Sequence, residues 1–205
     1  MKLYLVRHGK TQWNLEHRFQ GMNGDSPLLI ESIEQTRILR DYLSDVSFSK
    51  ALTSPLKRAH DTAEILLGEK DSFDLSTDDR LKEWGLGLWE GEKFSEMKEN
   101  YPQMIEAFTE NPAKFSGASI GAEEVSQVTK RFADLVFDLL AKSNQDDKIL
   151  LVGHGASLTA GIQSLLGKPD DKLRQDGFLL NSSLTILDIK SKDDIIVEEW
   201  NKIVY

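Results

Sequence analysis

Two short runs, apolar from their second residue onward, constrain this chain more than any other feature. Lys2-Leu3-Tyr4-Leu5-Val6 stops at Arg7-His8-Gly9, and Lys148-Ile149-Leu150-Leu151-Val152 stops at Gly153-His154-Gly155. Runs without polar alternation fit strands buried on both faces. Such strands need helices on each side, and the sequence supplies them. Ser32–Leu43 has helical spacing, with Ile33, Leu39 and Leu43 near one face. Ala51-Leu52-Thr53 reads as a further short strand, and Pro55 suits the first turn of a helix reaching Leu67. Ala122–Leu140 carries the clearest stripe: Val125, Val128, Phe132, Leu135, Val136 and Leu139. A helix over Ala156–Leu166 follows the second apolar run, and Ser183–Asp188 and Ile195–Trp200 read as late strands. This alternation predicts an α/β fold with a largely parallel sheet and helices on both faces. Phe73–Glu92 is irregular and rich in Gly and Trp, and Glu96–Glu110 reads as a helix pair broken at Pro102. No repeat or linker divides the 205 residues, so a single domain over 1–205 is expected, with 73–121 as a lobe over one end of the sheet.

Ligands of open α/β sheets bind beyond the carboxyl ends of the strands. Three strand ends here carry charged or titratable groups: Arg7-His8-Gly9, Thr53-Ser54-Pro55-Leu56-Lys57-Arg58 and Gly153-His154-Gly155. If those strands are parallel neighbours, two imidazoles and two guanidinium groups meet at one edge. A phosphate monoester carries about -1.5 to -2 charge near neutrality. Guanidinium forks match its oxygens, so Arg7 and Arg58 suit it, and helix N-termini add N–H donors. A neutral imidazole can attack phosphorus and split the reaction through a covalent intermediate. A general acid is then needed at the leaving oxygen, and Glu83 in Leu81-Lys82-Glu83-Trp84-Gly85 is the candidate.

Composition narrows the partners. The chain has a net charge of -9 and no cysteine. No thiolate can act as nucleophile or ligand. The acidic balance argues against nucleic acid and anionic membrane surfaces, and an anionic substrate would need a local positive field. No apolar run approaches the roughly 20 residues that cross a bilayer, and the apolar N-terminus is too short for a signal peptide. A soluble cytoplasmic protein is expected. His17 lies in a polar loop and His60 in a helix, and both read as structural; Trp13, Trp84 and Trp89 read as lobe packing. His8, His154 and Glu83 would also make a two-His, one-carboxylate metal set. Arg7 beside His8 opposes a cation, and no His pair has helical zinc spacing, so no metal is expected.

At these residues the chain resembles the histidine phosphatase superfamily, also called the phosphoglycerate mutase-like family. The resemblance runs through Leu5-Val6-Arg7-His8-Gly9-Lys10-Thr11-Gln12-Trp13-Asn14, Arg18-Phe19-Gln20-Gly21 and Asp25-Ser26-Pro27-Leu28. It continues through Thr53–Ala59 with Thr62-Ala63-Glu64-Ile65, Arg80-Leu81-Lys82-Glu83, Gly87–Gly91, Leu151–Gly155 and Asn181-Ser182-Ser183. It implies a three-layer α/β/α fold with a mostly parallel sheet and no metal or organic cofactor. It implies His8 as the phosphorylated nucleophile, Arg7, Arg58 and His154 as phosphoryl ligands, and Glu83 as proton donor and acceptor. Asn14, Gln20 and Gly21 would line the substrate side of the first loop, with Thr11 nearby. Ser32 stands where the family usually has glycine, Gly153 where serine is common, and Gly121-Ala122-Glu123-Glu124 replaces a Gly-Glu-Ser version. The family contains hydrolases and mutases. The Glu83–Gly91 stretch resembles the short phosphatase form, so a hydrolase of small phosphorylated metabolites is expected. A phosphoglycerate mutase is the alternative, and a non-catalytic phosphate-binding module the more distant one. The sequence leaves a homodimer open.

Overall fold

In the computed structural model, which describes residues 1–68 and 75–205, the two apolar runs are adjacent parallel strands at the centre of one sheet. The order of elements is β1 (Lys2–Arg7), α1 (Gln12–Leu15), α2 (Ile30–Tyr42), β2 (Lys50–Thr53), α3 (Lys57–Leu67) and β3 (Leu75–Thr77). Then come α4 (Phe94–Asn100), α5 (Pro102–Glu110), α6 (Val125–Lys142), β4 (Lys148–Gly153), α7 (Gly155–Leu165), β5 (Leu184–Ser191) and β6 (Asp194–Lys202). The sheet order is β3-β2-β4-β1-β5-β6. β1 to β4 pair in parallel, whereas β5 and β6 run antiparallel. No helix separates β5 from β6, and a short turn between Ser191 and Asp194 can only reverse the chain.

Burial explains the layering. Leu3 and Leu5 of β1 pack with Phe132 and Leu135 of α6 and Ile162 of α7. The alternate residues Tyr4 and Val6 pack with Leu39 of α2 and Ala59 and Ala63 of α3. A central strand therefore buries both of its faces, each large side chain contributing about 1.5–3 kcal/mol. The stripe read on α6 is buried throughout.

Several boundaries shift. Leu56 is extended, with ψ 132, and donates its N–H to the Ser54 hydroxyl, so Pro55 lies in the turn ahead of α3 and not in its first turn. The buried face of α2 is Ser32, Thr36 and Leu39, leaving Ile33 only half-buried. α6 begins at Val125 rather than Ala122, where Glu124 donates its N–H to the Gln127 side chain. The predicted lobe begins too early: Leu75–Thr77 is a sheet strand paired with β2, while Phe73 and Asp74 lie outside the described residues. The lobe's own core joins Trp84, Trp89, Phe108, Phe115 and Ile120 to Val125 and Val128 of α6 and Ala156 and Ala160 of α7. It therefore sits at the N-terminal ends of α6 and α7, beside His154. Among the described residues, no helix is long and apolar enough to cross a membrane.

Candidate active site

Sheet register brings the three strand ends together. β4 lies between β1 and β2, with Arg7 opposite Gly153 and Thr53 opposite Val152. His8 donates its N–H to Gly153 O at 2.9 Å. The His8 and His154 rings then face each other, centroids 5.1 Å apart and inclined at 61°. His8 Nδ1 lies 2.7 Å from Gly9 O. A carbonyl only accepts, so we assign the ring hydrogen to Nδ1, which leaves the Nε2 lone pair free. Asn181 Nδ2 donates to His8 O at 3.0 Å. Burial above all, then the Arg58 and Arg7 charges, holds His8 well below the ordinary imidazole range. Burial likewise lowers His154, followed by Arg58, His8 and Arg7. Both rings are neutral at pH 7.

The guanidinium groups are fixed by backbone oxygens. Arg58 donates to Gly21 O at 2.8 Å, to Gly24 O at 2.7 Å and to Asp25 Oδ1 at 3.1 Å. That loop is clamped in turn by Glu90, whose carboxylate accepts N–H groups from Met22, Asn23, Gly24 and Leu86. Gly21 has φ 63, and a Cβ there would meet the Glu90 carboxylate at 2.2 Å. Arg7 donates Nη1 to Leu179 O and packs on Gly155. His154 Nε2 lies 2.7 Å from Ser54 Oγ, which already accepts the Leu56 N–H. We assign the Ser54 hydroxyl as donor to Nε2, which makes His154 Nδ1 an N–H. Among the described residues, Arg7 Nε, Arg58 Nε and His154 Nδ1 are buried without a partner. An oxyanion bound beside His8 would supply the missing acceptors.

Glu83 is tied to the start of α7. Its carboxylate accepts from Trp84 N at 2.8 Å, Ser157 N at 2.7 Å and Ala156 N at 3.1 Å. The helix N-terminus expected to serve a ligand thus serves this carboxylate. Arg131 of α6 straps the same loop, donating to Arg80 O at 2.7 Å, Lys82 O at 2.8 Å and Glu83 O at 3.0 Å. It also pairs with Glu123 at 3.1 Å, and Glu123 accepts the Gly85 N–H at 2.8 Å. Sequence pattern assigns no role to Arg131 or Glu90, because Arg131 reaches Arg80, Lys82 and Glu83, and Glu90 reaches Met22, Asn23 and Gly24, across stretches of chain that no local spacing covers.

Arg7, His8, Asn14, Gln20, Gly21, Arg58 and Glu83 line a cleft of about 380 Å³, whereas His154 is fully buried beside His8 and absent from that lining. Among the described residues, Glu83 is the one carboxylate on that lining, so the field is locally positive in an acidic protein. Gln20 is engaged at both ends, by Thr11 Oγ1 and by Ser26 Oγ. Thr11 is fully buried behind it and absent from the cleft lining. His17, expected to be structural only, lines the cleft beside Arg18. His60 stays on α3, near Glu64. Trp84 and Trp89 are buried in the lobe, and Trp13 is half-buried against Gly24. A second depression of about 300 Å³, lined by Arg40, Leu43, Phe48 and Leu66 among others, contains no imidazole. Among the described residues, the grouping with metal-ligand spacing is His60, Asp61 and Glu64, where Lys57 already pairs with Asp61.

The sequence model of the histidine phosphatase superfamily (branch 1) matches residues 3–203. The chain belongs to this superfamily. An Arabidopsis thaliana relative, "Probable 2-carboxy-D-arabinitol-1-phosphatase", is 32% identical over 94% of this chain, which spans only 39% of that relative's length. A Salmonella paratyphi A relative, "Probable phosphoglycerate mutase GpmB", is 30% identical over 82% of this chain and 76% of its own. A mycobacterial glucosyl-3-phosphoglycerate phosphatase, solved with VO3, superposes with a TM-score of 0.87 at 28% identity, covering 98% of each chain. The departures from the superfamily pattern lie around these residues. Ser32 Oγ is buried over Gly9, at 2.4 Å from where a Cβ would stand, and the Leu158 side chain packs 3.1 Å from the same point on Gly153. Glu123 acts on the Glu83 loop through Arg131.

Proposed function

We propose that this histidine phosphatase hydrolyses small phosphomonoesters through a phosphohistidine on His8. The reading rests on one arrangement: a neutral imidazole with a free Nε2 lone pair, near Arg7, Arg58 and His154, each of which has a buried ring or guanidinium nitrogen without a partner among the described residues. Nε2 attacks phosphorus while Arg7, Arg58 and His154 Nδ1 hold the non-bridging oxygens. The P–O ester bond breaks, and Glu83, in its protonated form, gives its proton to the leaving oxygen. Glu83 then takes a proton from water, which attacks phosphorus. The P–N bond breaks, phosphate departs and His8 is restored. The cycle uses no metal or organic cofactor. Hydrolysis rather than transfer to a second hydroxyl is favoured by the short Glu83–Gly91 segment and by the phosphatase names of the Arabidopsis and mycobacterial relatives.

Rapid-quench labelling tests this. Purified protein mixed with a labelled aryl phosphate should carry acid-labile phosphate during turnover, and His8→Ala should carry none and release none. Labelling of His8→Ala at the wild-type level would overturn the nucleophile assignment. Glu83→Gln should slow alkyl esters by about 10²–10⁴-fold but a nitrophenyl ester far less, because a good leaving group needs no proton. Phosphoglycerate isomerisation primed by bisphosphoglycerate, without phosphate release, would instead make the chain a mutase.

A further inference from the structure

We infer that the outer half of the cleft selects phosphomonoesters of apolar, ring-bearing alcohols; this rests on the hydrolase reading above. Beyond the phosphoryl ligands the lining turns apolar: Phe19, Leu86, Phe94, Phe108, Ala156 and Phe178. Phe108 and Leu86 are buried in the lobe core, and the other three phenylalanines are half-buried, as expected of side chains that pack on one side and face a cleft on the other. Large half-buried apolar faces meeting in a concavity are the mark of an apolar ligand site.

The wall is held in place before any ligand arrives. Phe108 packs edge-on against Trp84, with centroids 5.4 Å apart, and against Phe115 at 5.3 Å. Phe19 lies 5.5 Å from Phe94 and 6.2 Å from Phe108. Behind them the buried Arg174 sets its guanidinium 4.2 Å from the Phe178 centroid and 5.5 Å from that of Phe108. Its Nη1 donates to Ala156 O at 3.0 Å, which ties the wall to α7. A ring entering this space displaces water and orders little protein, so its burial converts efficiently into affinity.

The same wall offers little to a polar alcohol. The Thr109 hydroxyl donates its hydrogen to Ile105 O at 2.8 Å. Both ends of the Gln20 amide are engaged, and three N–H groups hold the Glu83 carboxylate. His17 and Arg18 line the cleft as well, with Arg18 held by Glu16 and Gly91 O, so an ester bearing a carboxylate is the competitor to include.

The test compares kcat/KM of the full chain for 2-phenylethyl phosphate, ethyl phosphate, glycerol phosphate, phosphoserine and 3-phosphoglycerate. All leave as alkyl oxygens, so leaving-group chemistry does not set the ranking. The phenylethyl ester should lead by about tenfold or more, mainly through KM. Phe178→Ala and Phe94→Ala should each cut the phenylethyl-to-ethyl ratio by about fivefold, and a ratio on one preparation is independent of the fraction folded. Glycerol phosphate, phosphoserine or phosphoglycerate matching the phenylethyl ester would overturn the inference and leave the hydrolase reading standing. Failure to turn over any ester would overturn the hydrolase reading, and the inference with it.

Discussion

His8 depends on its neighbours for both position and protonation. The hydrogen bond from Nδ1 to Gly9 O fixes which nitrogen keeps its lone pair, and burial with two nearby guanidinium groups keeps that nitrogen unprotonated. Arg7 depends on Gly155, where an added Cβ would stand 2.8 Å from Arg7 Cζ. A Gly155→Ala variant should therefore fold, since the end of an arginine can swing aside, yet lose about 10²-fold in kcat/KM as Arg7 leaves its place. Steady-state kinetics beside a melting curve checks this, and an unchanged kcat/KM would show that Arg7 does not contact the substrate. Much of this residue-scale design is legible in the sequence: a His–Gly pair after each apolar run places an imidazole and a close backbone approach at a strand end. The identity of the group that occupies the α7 N-terminus is not legible. Glu83 reaches Ala156 and Ser157 across more than seventy residues of chain, and no spacing rule announces a contact of that span.

Among the elements, α6 does more than cover the sheet. Its apolar stripe, buried as the periodicity requires, packs Phe132 to Leu139 against the sheet and Val125 and Val128 against the lobe, while Arg131 turns toward the Glu83 loop and binds three of its carbonyl oxygens. Arg131 is in this sense a positioning residue. Arg131→Met should lower kcat for alkyl esters about tenfold or more while leaving phosphoenzyme formation from a nitrophenyl ester nearly intact, the pattern of a misplaced acid rather than a damaged nucleophile. Arg131→Lys should rescue little, because one ammonium cannot reproduce a fork that serves several oxygens. Equal losses with both esters would assign Arg131 a general structural role. The long helices and central strands could be read from the sequence because each carries a period over many residues. β3 could not, since a strand of three residues has no period and exists only because β2 offers it an edge. The same limit explains the misplaced start of the lobe.

At the scale of the whole molecule, the site stores a proton-linked penalty. His8 and His154 lie well below their ordinary value of 6.5 in the folded protein and at that value when unfolded. Below about pH 6.5 the unfolded chain therefore binds protons that the folded chain refuses, and stability falls as pH falls, until the depressed folded values are reached. Each histidine contributes up to about 1.4 kcal/mol per pH unit within that window. Reference carboxylates ionise near 4, below the interval from pH 6.5 to 5, and replacing one imidazole isolates its share of the slope. The charged groups acting on them are Arg58 and Arg7, with Arg131 also acting on His154, and the guanidinium groups keep their charge throughout this interval. Melting temperature should thus decline over this interval, and less steeply in His8→Gln. Inorganic phosphate should raise stability by mass action and also flatten the slope, because an anion beside the imidazoles favours their charged forms and lifts their folded values. Melting curves from pH 7.5 to 5, with and without saturating phosphate, separate these effects. A slope that phosphate leaves unchanged would place the anion away from His8 and His154, and the phosphohistidine chemistry would lose its substrate.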